Sequence, residues 1–231
     1  MTGTDTGAGK TVVAAAICAA LRARGERVAA FKPVVTGLDE PDPLWPADHE
    51  LLAAAAGAQP GDVTTATFGP AVSPHLAAEL AEQMLDLAGL VAAASAAATG
   101  ADVLVVEGVG GLLVPFGDFD VRDLAVALGL PVVVAARPGL GTINHSLLTI
   151  EAARAAGLDL RGVVLTPWPQ TPSVLEHSNR ATIAQRGGLP VATLATVTPA
   201  VEDLAAAGGT LPLDDWLGSA ITPSGGQRPD V

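Results

Sequence analysis

Short apolar runs alternate with longer stretches rich in alanine and leucine along most of this chain. Most of the short runs are apolar at every position, which is typical of strands in a parallel sheet that helices cover on both faces. Strand and helix in repeated alternation predict an α/β domain with a doubly wound, mostly parallel sheet. The predicted strands span 27–34, 102–108, 131–137, 160–166 and 190–194. The predicted helices span 10–24, 47–57, 75–98, 120–129, 143–156, 173–187 and 199–206.

Charge and cysteine content restrict the partners and the compartment. The formal net charge is −12, so we expect neither nucleic acid nor a membrane surface as a partner. No apolar run reaches the ~18 residues of a membrane span, and no segment resembles a signal peptide, so we expect a cytoplasmic protein. Cys18 is the single cysteine, which excludes an intramolecular disulfide and, in its apolar helical surroundings, predicts a buried thiol.

A glycine-rich segment, MTGTDTGAGKT, opens the sequence and leads directly into an apolar helical run. Gly7, Gly9, Lys10 and Thr11 stand where a phosphate-binding P-loop has its last residues, although Thr4 replaces the first glycine of that motif. Glycines let backbone N–H groups close around phosphate oxygens, the lysine adds a full positive charge, and the threonine hydroxyl can bind Mg²⁺. The alternative is an ordinary glycine-rich turn at the start of a helix. We favour phosphate binding.

The position of this loop so close to Met1 predicts that the strand that normally precedes it is missing or truncated. We expect one P-loop NTPase-like α/β domain over 1–219, in which the first strand of the sheet is missing or truncated. The segment 220–231 is rich in glycine, proline and serine and predicts a disordered tail.

Charged side chains follow two of the predicted strands at the point where each strand ends. Glu107 comes directly after VLVV, and Lys32 lies in the corresponding position of FKPVVTG. Ligands bind beside the carboxyl ends of strands in an open sheet, so Glu107 is a candidate Mg²⁺ ligand and Lys32 a candidate for phosphoryl transfer. The alternatives are a hydrogen-bonded acid at a strand end and a lysine that extends to the surface. Asp48 precedes an apolar helical run and predicts a helix N-cap, which does not exclude metal binding.

Five motifs in one consistent order give the sequence a family resemblance. They are TGTDTGAGKT, KPVVTG, SPH, VEGVGGLLVP and LGTINHSLLTIEAARAAGL, and the resemblance runs from Met1 to about Leu165. Together they resemble the dethiobiotin synthetases, the ATP-dependent cyclising ligases of biotin synthesis. The resemblance implies that diaminopelargonic acid, CO₂ or bicarbonate, and Mg-ATP are the substrates, that a carbamate and a carbamic–phosphoric anhydride are intermediates, and that the protein is a homodimer.

The resemblance also implies residue roles. Lys32 would stabilise the carbamate and the transferred phosphoryl group, Lys10 would hold the ATP phosphates, and Thr6 would lie close to the reacting groups. The implied Mg²⁺ ligands are Thr11, Asp48 and Glu107. The implied nucleotide-binding residues are Gly7, Ala8, Gly9, Lys10, Thr11, Val12, Asp48, Glu107, Gly108, Val109, Gly110, Thr166 and Pro167.

The implied substrate contacts lie in three further segments. They are Thr36, Ser73, Gly141, Thr142 and Asn144, the last three at a helix start that would meet the substrate carboxylate across a two-fold dimer interface. We expect Asn144 or Thr142 also to be the N-cap of that helix.

Three features depart from the family pattern. Members often carry an acidic residue where this chain has Gly7, so any role of that side chain is absent here. Some members carry an Asn-Asp pair that reads adenine where this chain has Thr166 and Pro167, so a nucleotide other than ATP stays open. Members also place an apolar strand ending in Val-Thr-Gly before the loop, and Met1 occupies the position of that valine. One hypothesis is that the true start lies upstream of Met1, and the alternative is that a central strand of about five residues is absent.

Two other functions stay open at this point. A partitioning or positioning ATPase switch shares the loop, but it carries a second lysine where this chain has Asp5, and it often has a basic or membrane-binding surface. A related amidoligase shares the phosphate chemistry, but it needs a glutaminase domain with a nucleophilic cysteine, and Cys18 lies in the first predicted helix.

Overall fold

A computed structural model describes residues 1–218 of the chain, so the predicted tail over 220–231 lies outside the described residues. The strands are β1 Thr2–Gly3, β2 Val28–Phe31, β3 Val103–Val106, β4 Val132–Ala136, β5 Leu160–Trp168 and β6 Val191–Ala195. The helices are α1 Lys10–Ala23, α2 Asp48–Ala56, α3 Pro60–Val63, α4 Pro74–Leu80, α5 Leu87–Ala97, α6 Val121–Leu128, α7 Thr142–Ala155, α8 Val174–Gly187, α9 Val201–Gly208 and α10 Leu213–Leu217.

The strands pair in parallel throughout the ladders of the described chain. One ladder has the order β1-β4-β5-β6 and the other pairs β2 with β3. Met1 joins the two ladders, because its amino group donates to the Val106 carbonyl at 2.7 Å and its own carbonyl accepts from the Gly108 N–H at 2.9 Å. The expected α/β fold with a mostly parallel sheet and flanking helices is therefore confirmed.

The first strand has only two residues. Thr2 and Gly3 pair with Val134 and Ala135 of β4, and the Thr4 N–H donates to the Ala135 carbonyl at 3.0 Å. This short strand places the glycine-rich loop at the carboxyl ends of the neighbouring parallel strands, which is the edge where ligands bind in open α/β sheets.

Helix α1 is buried on nearly all sides because its middle residues are small. Its central alanines and Cys18 lie against the sheet, α2 and α9 in one hydrophobic cluster. A second cluster joins α4, α5 and α6 around Phe116 and Phe119, and a third packs α7 and α8 against β4 and β5. The helix that follows the glycine-rich loop is thus packed into the core, which fixes the position of the residue at which the loop ends.

The single helix predicted over 75–98 is wrong. The chain forms α4 and α5 instead, with Glu82 in a left-handed conformation (φ 53°) between them. The Gln83 N–H donates back to the Ala78 carbonyl at 2.9 Å and ends α4. Asp86 then caps α5 by accepting from the Gly89 N–H at 2.7 Å. Both segments are rich in alanine and leucine, so their composition gives no indication that the helix is interrupted. The interruption is determined by the capping interactions at the end of α4 and the start of α5.

Two predicted helix caps are also wrong. Ala47 is the N-cap of α2 and Asp48 its first residue, while the Glu50 carboxylate accepts from the Ala47 N–H at 3.0 Å. Gly141 in a left-handed conformation (φ 91°) is the N-cap of α7, without a side-chain cap from Thr142 or Asn144.

The short helices α3 and α10 were not predicted. Over residues 1–218, every helix is too short or too polar to cross a bilayer.

Candidate nucleotide and metal site

The glycine-rich loop connects β1 to α1 and turns at two left-handed glycines. Gly7 has φ 67° and Gly9 has φ 87°, conformations that side chains rarely adopt. The buried Lys10 side chain runs beneath the loop and donates to the Asp5 carbonyl at 2.9 Å. A Cβ atom on Gly3 would lie 2.9 Å from the Lys10 Cγ, so the glycine leaves room for the lysine. The loop thus has the shape of an anion-binding turn with a cation inside it.

Four polar side chains from four elements meet beside this loop, and we call them the polar cluster: Thr11 of α1, Lys32 after β2, Asp48 of α2 and Glu107 after β3. The Lys32 Nζ lies 2.6 Å from Glu107 Oε1 and 2.5 Å from Asp48 Oδ2. The Thr11 Oγ1 lies 2.8 Å from Glu107 Oε1 and 2.9 Å from Asp48 Oδ1. The cluster forms because parallel strands end at the same edge of the sheet, where α1 and α2 begin.

Burial and charge act against each other in the polar cluster. Burial would lower the pKa of Lys32, but the carboxylates of Glu107 and Asp48 outweigh it and raise that pKa above its usual value. Burial raises the pKa of Glu107, with Lys32 opposing the shift. Burial also lowers the pKa of Lys10. Asp48 is 43% exposed and Glu107 is fully buried, so the two carboxylates face different environments.

One carboxylate oxygen of the cluster is unused. Glu107 Oε2 is buried and accepts no hydrogen bond from any donor within residues 1–218. Two carboxylates and a threonine hydroxyl are hard oxygen donors of the kind that Mg²⁺ prefers, and the free oxygen can accept a further interaction. The predicted metal set of Thr11, Asp48 and Glu107 therefore fits a divalent cation, although the described chain gathers no larger group of acidic, histidine or cysteine side chains.

The segment after β3 closes against the loop. A Cβ atom on Gly110 would lie 3.5 Å from the Thr6 Oγ1, and one on Gly111 would lie 3.6 Å from the Gly3 carbonyl oxygen. The neighbouring Gly108 is buried and donates to Met1, while Val109 packs into the second cluster. The glycines thus allow two turns of backbone to approach each other closely.

The end of β5 forms the other flank of the loop. Thr166 is buried, and its methyl group occupies the space that a Cβ atom on Gly9 would need. Pro167 follows it across a cis peptide bond and is exposed. Ala8 is buried within the loop, and Val12 packs partly against the main core. The expected nucleotide-binding residues are therefore grouped around one loop, and their roles stay predictions.

The expected substrate residues lie outside the polar cluster. Thr36 is half-buried beyond β2, and the Ser73 Oγ lies 3.0 Å from the His75 Nδ1 at the start of α4. Thr142 is buried in α7, with its Oγ1 3.4 Å from the Ser146 Oγ. Gly141 and Asn144 are exposed. None of these residues forms a hydrogen bond with the polar cluster within residues 1–218.

Sequence reasoning missed one cation beside the loop. Arg137 follows β4, and its Nε donates to the Gly7 carbonyl at 3.0 Å. A charged residue at the end of a predicted strand is the pattern that identified Lys32 and Glu107. Arg137 ends the predicted strand 131–137, so the same pattern could have identified it as well. Its loop partner lies 130 residues away in the sequence, so only the fold could reveal the contact.

Comparison with known proteins adds the family. The AAA domain family matches residues 1–206. An ATP-dependent dethiobiotin synthetase BioD of Anaeromyxobacter sp. (strain Fw109-5) is 42% identical over 206 residues, which cover 87% of this chain and 91% of the relative. The chain belongs to the dethiobiotin synthetase family. A second dethiobiotin synthetase, from Rhodococcus erythropolis (strain PR4 / NBRC 100887), is 39% identical over 194 residues, or 83% of this chain and 84% of the relative.

A third dethiobiotin synthetase, from Anaeromyxobacter dehalogenans (strain 2CP-1 / ATCC BAA-258), is 46% identical over 168 residues, or 71% of this chain and 74% of the relative. The family resemblance that five motifs predicted is therefore confirmed. The match to the AAA domain reaches residue 206, well beyond Leu158, where the last motif ends. The similarity thus includes β5, β6 and α8, where the sequence motifs had become sparse.

Proposed function

We propose that this chain is an ATP-dependent ligase of biotin synthesis that closes the ureido ring of dethiobiotin. Its substrates would be diaminopelargonic acid, CO₂ and ATP, and its products dethiobiotin, ADP and phosphate. Membership of the dethiobiotin synthetase family supports the ATP-dependent ligase activity. The observation that carries the finer proposal is the buried Lys32 ammonium, which lies against two carboxylates beside a phosphate-binding loop.

The proposed reaction has three steps. One amine of the substrate adds to CO₂ and loses a proton, which gives a carbamate. A carbamate oxygen attacks the γ-phosphorus of ATP, the bond to the β-phosphate oxygen breaks, and ADP leaves. The second amine attacks the carbonyl carbon of the resulting carbamic–phosphoric anhydride, phosphate leaves, and the ring closes. The reactants need positioning and charge screening more than a protein nucleophile.

The two lysines would supply the charge that these steps need. Lys10 lies inside the loop and would hold the phosphate chain of ATP, while Lys32 would neutralise charge on the carbamate and the transferred phosphoryl group. Both side chains are buried. A buried ammonium acts more strongly on a neighbouring anion than an exposed one, because little water screens it. Exclusion of water would also protect the anhydride from hydrolysis.

Thr11, Asp48 and Glu107 would hold a Mg²⁺ ion that accompanies the nucleotide. When bound, the ion supplies positive charge that polarises the phosphate groups of ATP. The unused Glu107 Oε2 supports this assignment, because a fully buried carboxylate oxygen without a donor is costly.

The start of α7 is the proposed dimer surface and a proposed part of the substrate site. Leu140 is 92% exposed and Leu148 is 56% exposed on this segment. A second copy of the chain would cover these side chains and bring the exposed Gly141 and Asn144 to the partner's site. Thr36 and Ser73 would contact the bound substrate within one subunit. Light scattering that gives the mass of a dimer supports this arrangement, and a monomeric mass at assay concentration contradicts it.

Product detection by mass spectrometry tests the function. The purified protein is incubated with diaminopelargonic acid, bicarbonate, Mg²⁺ and ATP, and parallel reactions contain CTP or GTP in place of ATP. We expect dethiobiotin and nucleoside diphosphate in equal amounts. Absence of dethiobiotin with every nucleotide contradicts the proposal, and the CTP and GTP reactions define the nucleotide preference that Thr166 and Pro167 leave open.

The same assay separates the ligase from a positioning ATPase. Phosphate release by a ligase requires both the diamine and bicarbonate. Release that occurs without them and increases with DNA or anionic vesicles would favour the ATPase switch instead.

A further inference from the structure

Arg137 holds the outer half of the glycine-rich loop. Its Nε lies 3.0 Å from the Gly7 carbonyl oxygen, and its Nη2 lies 3.4 Å from the Thr6 carbonyl oxygen. One guanidinium therefore contacts two successive carbonyl groups. Its backbone belongs to the end of β4, which pairs with β1 and β5, so the group that grips the loop is anchored in the middle of the sheet.

This contact determines where the loop N–H groups point. Cis peptide bonds within residues 1–218 are confined to Thr166–Pro167, so the peptides on both sides of Gly7 are trans. In a trans peptide the carbonyl and the following N–H point in opposite directions. Since the carbonyls of Thr6 and Gly7 face Arg137, the N–H groups of Gly7 and Ala8 face away from it.

Those two N–H groups are free to bind an anion. Neither donates to an acceptor within residues 1–218. Successive N–H groups that point in one direction around a left-handed residue form an anion-binding nest. The positive charge of Arg137 on the carbonyl side also polarises both peptides, which makes their N–H groups better donors.

Gly7 makes the contact possible. A Cβ atom at this position would lie 2.7 Å from the Arg137 Nη2. Any side chain here would push the guanidinium away from the loop, in addition to the strain of φ 67°. The glycine and the arginine therefore act as a pair, although neither residue was expected to depend on the other.

We propose that Arg137 is a positioning residue for nucleotide binding, which orients the N–H groups of Gly7 and Ala8 toward the phosphate chain. Arg137 does this through the backbone of the loop, not through contact with the reacting atoms. The proposal rests on the nucleotide-binding part of the proposed function, and it does not depend on which reaction follows.

Isothermal titration calorimetry on Arg137→Ala tests the proposal with two probes, Mg-ATP and inorganic triphosphate. We expect both to bind about tenfold more weakly, because two donors lose their orientation. Arg137→Lys should remain close to Arg137→Ala, since an ammonium cannot reproduce the fork that reaches both carbonyls. Wild-type affinity in Arg137→Lys would show that the charge suffices and would overturn the orienting role. Unchanged affinity in Arg137→Ala would overturn the proposal altogether.

A matched control separates this role from general stability. Arg180 of α8 donates through its Nε to the Val191 carbonyl at 3.0 Å, at the opposite end of the sheet from the loop. Arg180→Ala removes an arginine–carbonyl bond of the same kind and should bind both probes with wild-type affinity. If Arg180→Ala weakens binding as much as Arg137→Ala does, the effect is structural and the proposal fails.

A double-mutant cycle measures the dependence between Gly7 and Arg137. Gly7→Ala should weaken triphosphate binding, and its effect should be smaller in the Arg137→Ala background, where no guanidinium is left to displace. Strictly additive effects would contradict the pairing. Binding is measured without diamine, so a protein that binds triphosphate through Arg137 but forms no dethiobiotin would contradict the proposed function and leave this inference intact.

Discussion

The Lys32 Nζ and the Glu107 Oε1 lie 2.6 Å apart although 75 residues separate them in the sequence. Lys32 is 3% exposed and Glu107 is fully buried. A buried ion pair of this kind contributes little net stability, since the cost of removing both charges from water offsets their attraction. Its presence beside the glycine-rich loop is therefore better explained by function than by stability.

Replacement of Lys32 by methionine should lower both the free energy of unfolding and the turnover, and a second substitution should restore only the free energy of unfolding. It leaves Glu107 buried without its cation, so we expect the free energy of unfolding to fall by about 3 kcal/mol at neutral pH. The double variant Lys32→Met/Glu107→Gln removes both charges and should recover most of that loss in urea titrations. Turnover should stay at least about a hundredfold below wild type in both variants. Near-normal turnover in either one would contradict the role of Lys32.

Glu107→Gln should weaken the binding of a divalent cation while it preserves the shape of the site. Electron paramagnetic resonance of Mn²⁺ in the presence of ADP measures this binding without any turnover. We expect a several-fold weaker affinity, because a neutral amide is a poorer ligand than a carboxylate. The control is Glu176→Gln, which changes an acid at the start of α8, away from the loop. Identical Mn²⁺ titrations for Glu107→Gln and wild type would identify Glu107 as a purely structural acid.

Gly208 is predicted to tolerate no side chain. A Cβ atom on it would overlap the carbonyl oxygen of Ala16 in α1 and lie 2.6 Å from the Ala16 carbonyl carbon. The clash is with backbone, so α9 would have to move, and we expect Gly208→Ala to lower the free energy of unfolding by about 2 kcal/mol. Gly209→Ala is the matched control, since its Cβ would lie 3.4 Å from the nearest atom at φ −63°. Equal midpoints of thermal unfolding for the two variants would refute the packing argument.

Cys18 gives stability a dependence on alkaline pH. Burial raises the pKa of its thiol to about 12, from 9.0 in the unfolded chain. Between these two values the unfolded state releases a proton that the folded state keeps, so stability decreases as the pH rises above about 9. Cys18→Ala should remove this contribution, which amounts to about 1 kcal/mol between pH 8 and pH 10. Parallel stability curves of the variant and wild type over that range would show that the thiol does not contribute.

The candidate site was partly predictable because its charged residues follow strands. Lys32 and Glu107 each end an apolar run, and parallel strands in one sheet place their carboxyl ends together. That argument needs no detail of packing. It could not predict that Thr11 would contact both Asp48 and Glu107, because those contacts depend on how α1 and α2 rest on the sheet. The division of the predicted helix 75–98 was missed for a similar reason, since alanine-rich composition carries no information about a break.

The sequence by itself determined the parallel α/β sheet, the glycine-rich loop and the edge of the sheet where charged residues collect. Alternating apolar segments report burial, and burial on both faces leaves few other folds. Only the tertiary structure decided that Lys32 pairs with two carboxylates and that Arg137 grips Gly7. The contacts of Lys32 with Glu107 and of Arg137 with Gly7 join residues 75 and 130 positions apart. They depend on side-chain directions that the packing of several elements sets jointly, and no local pattern in the sequence records them.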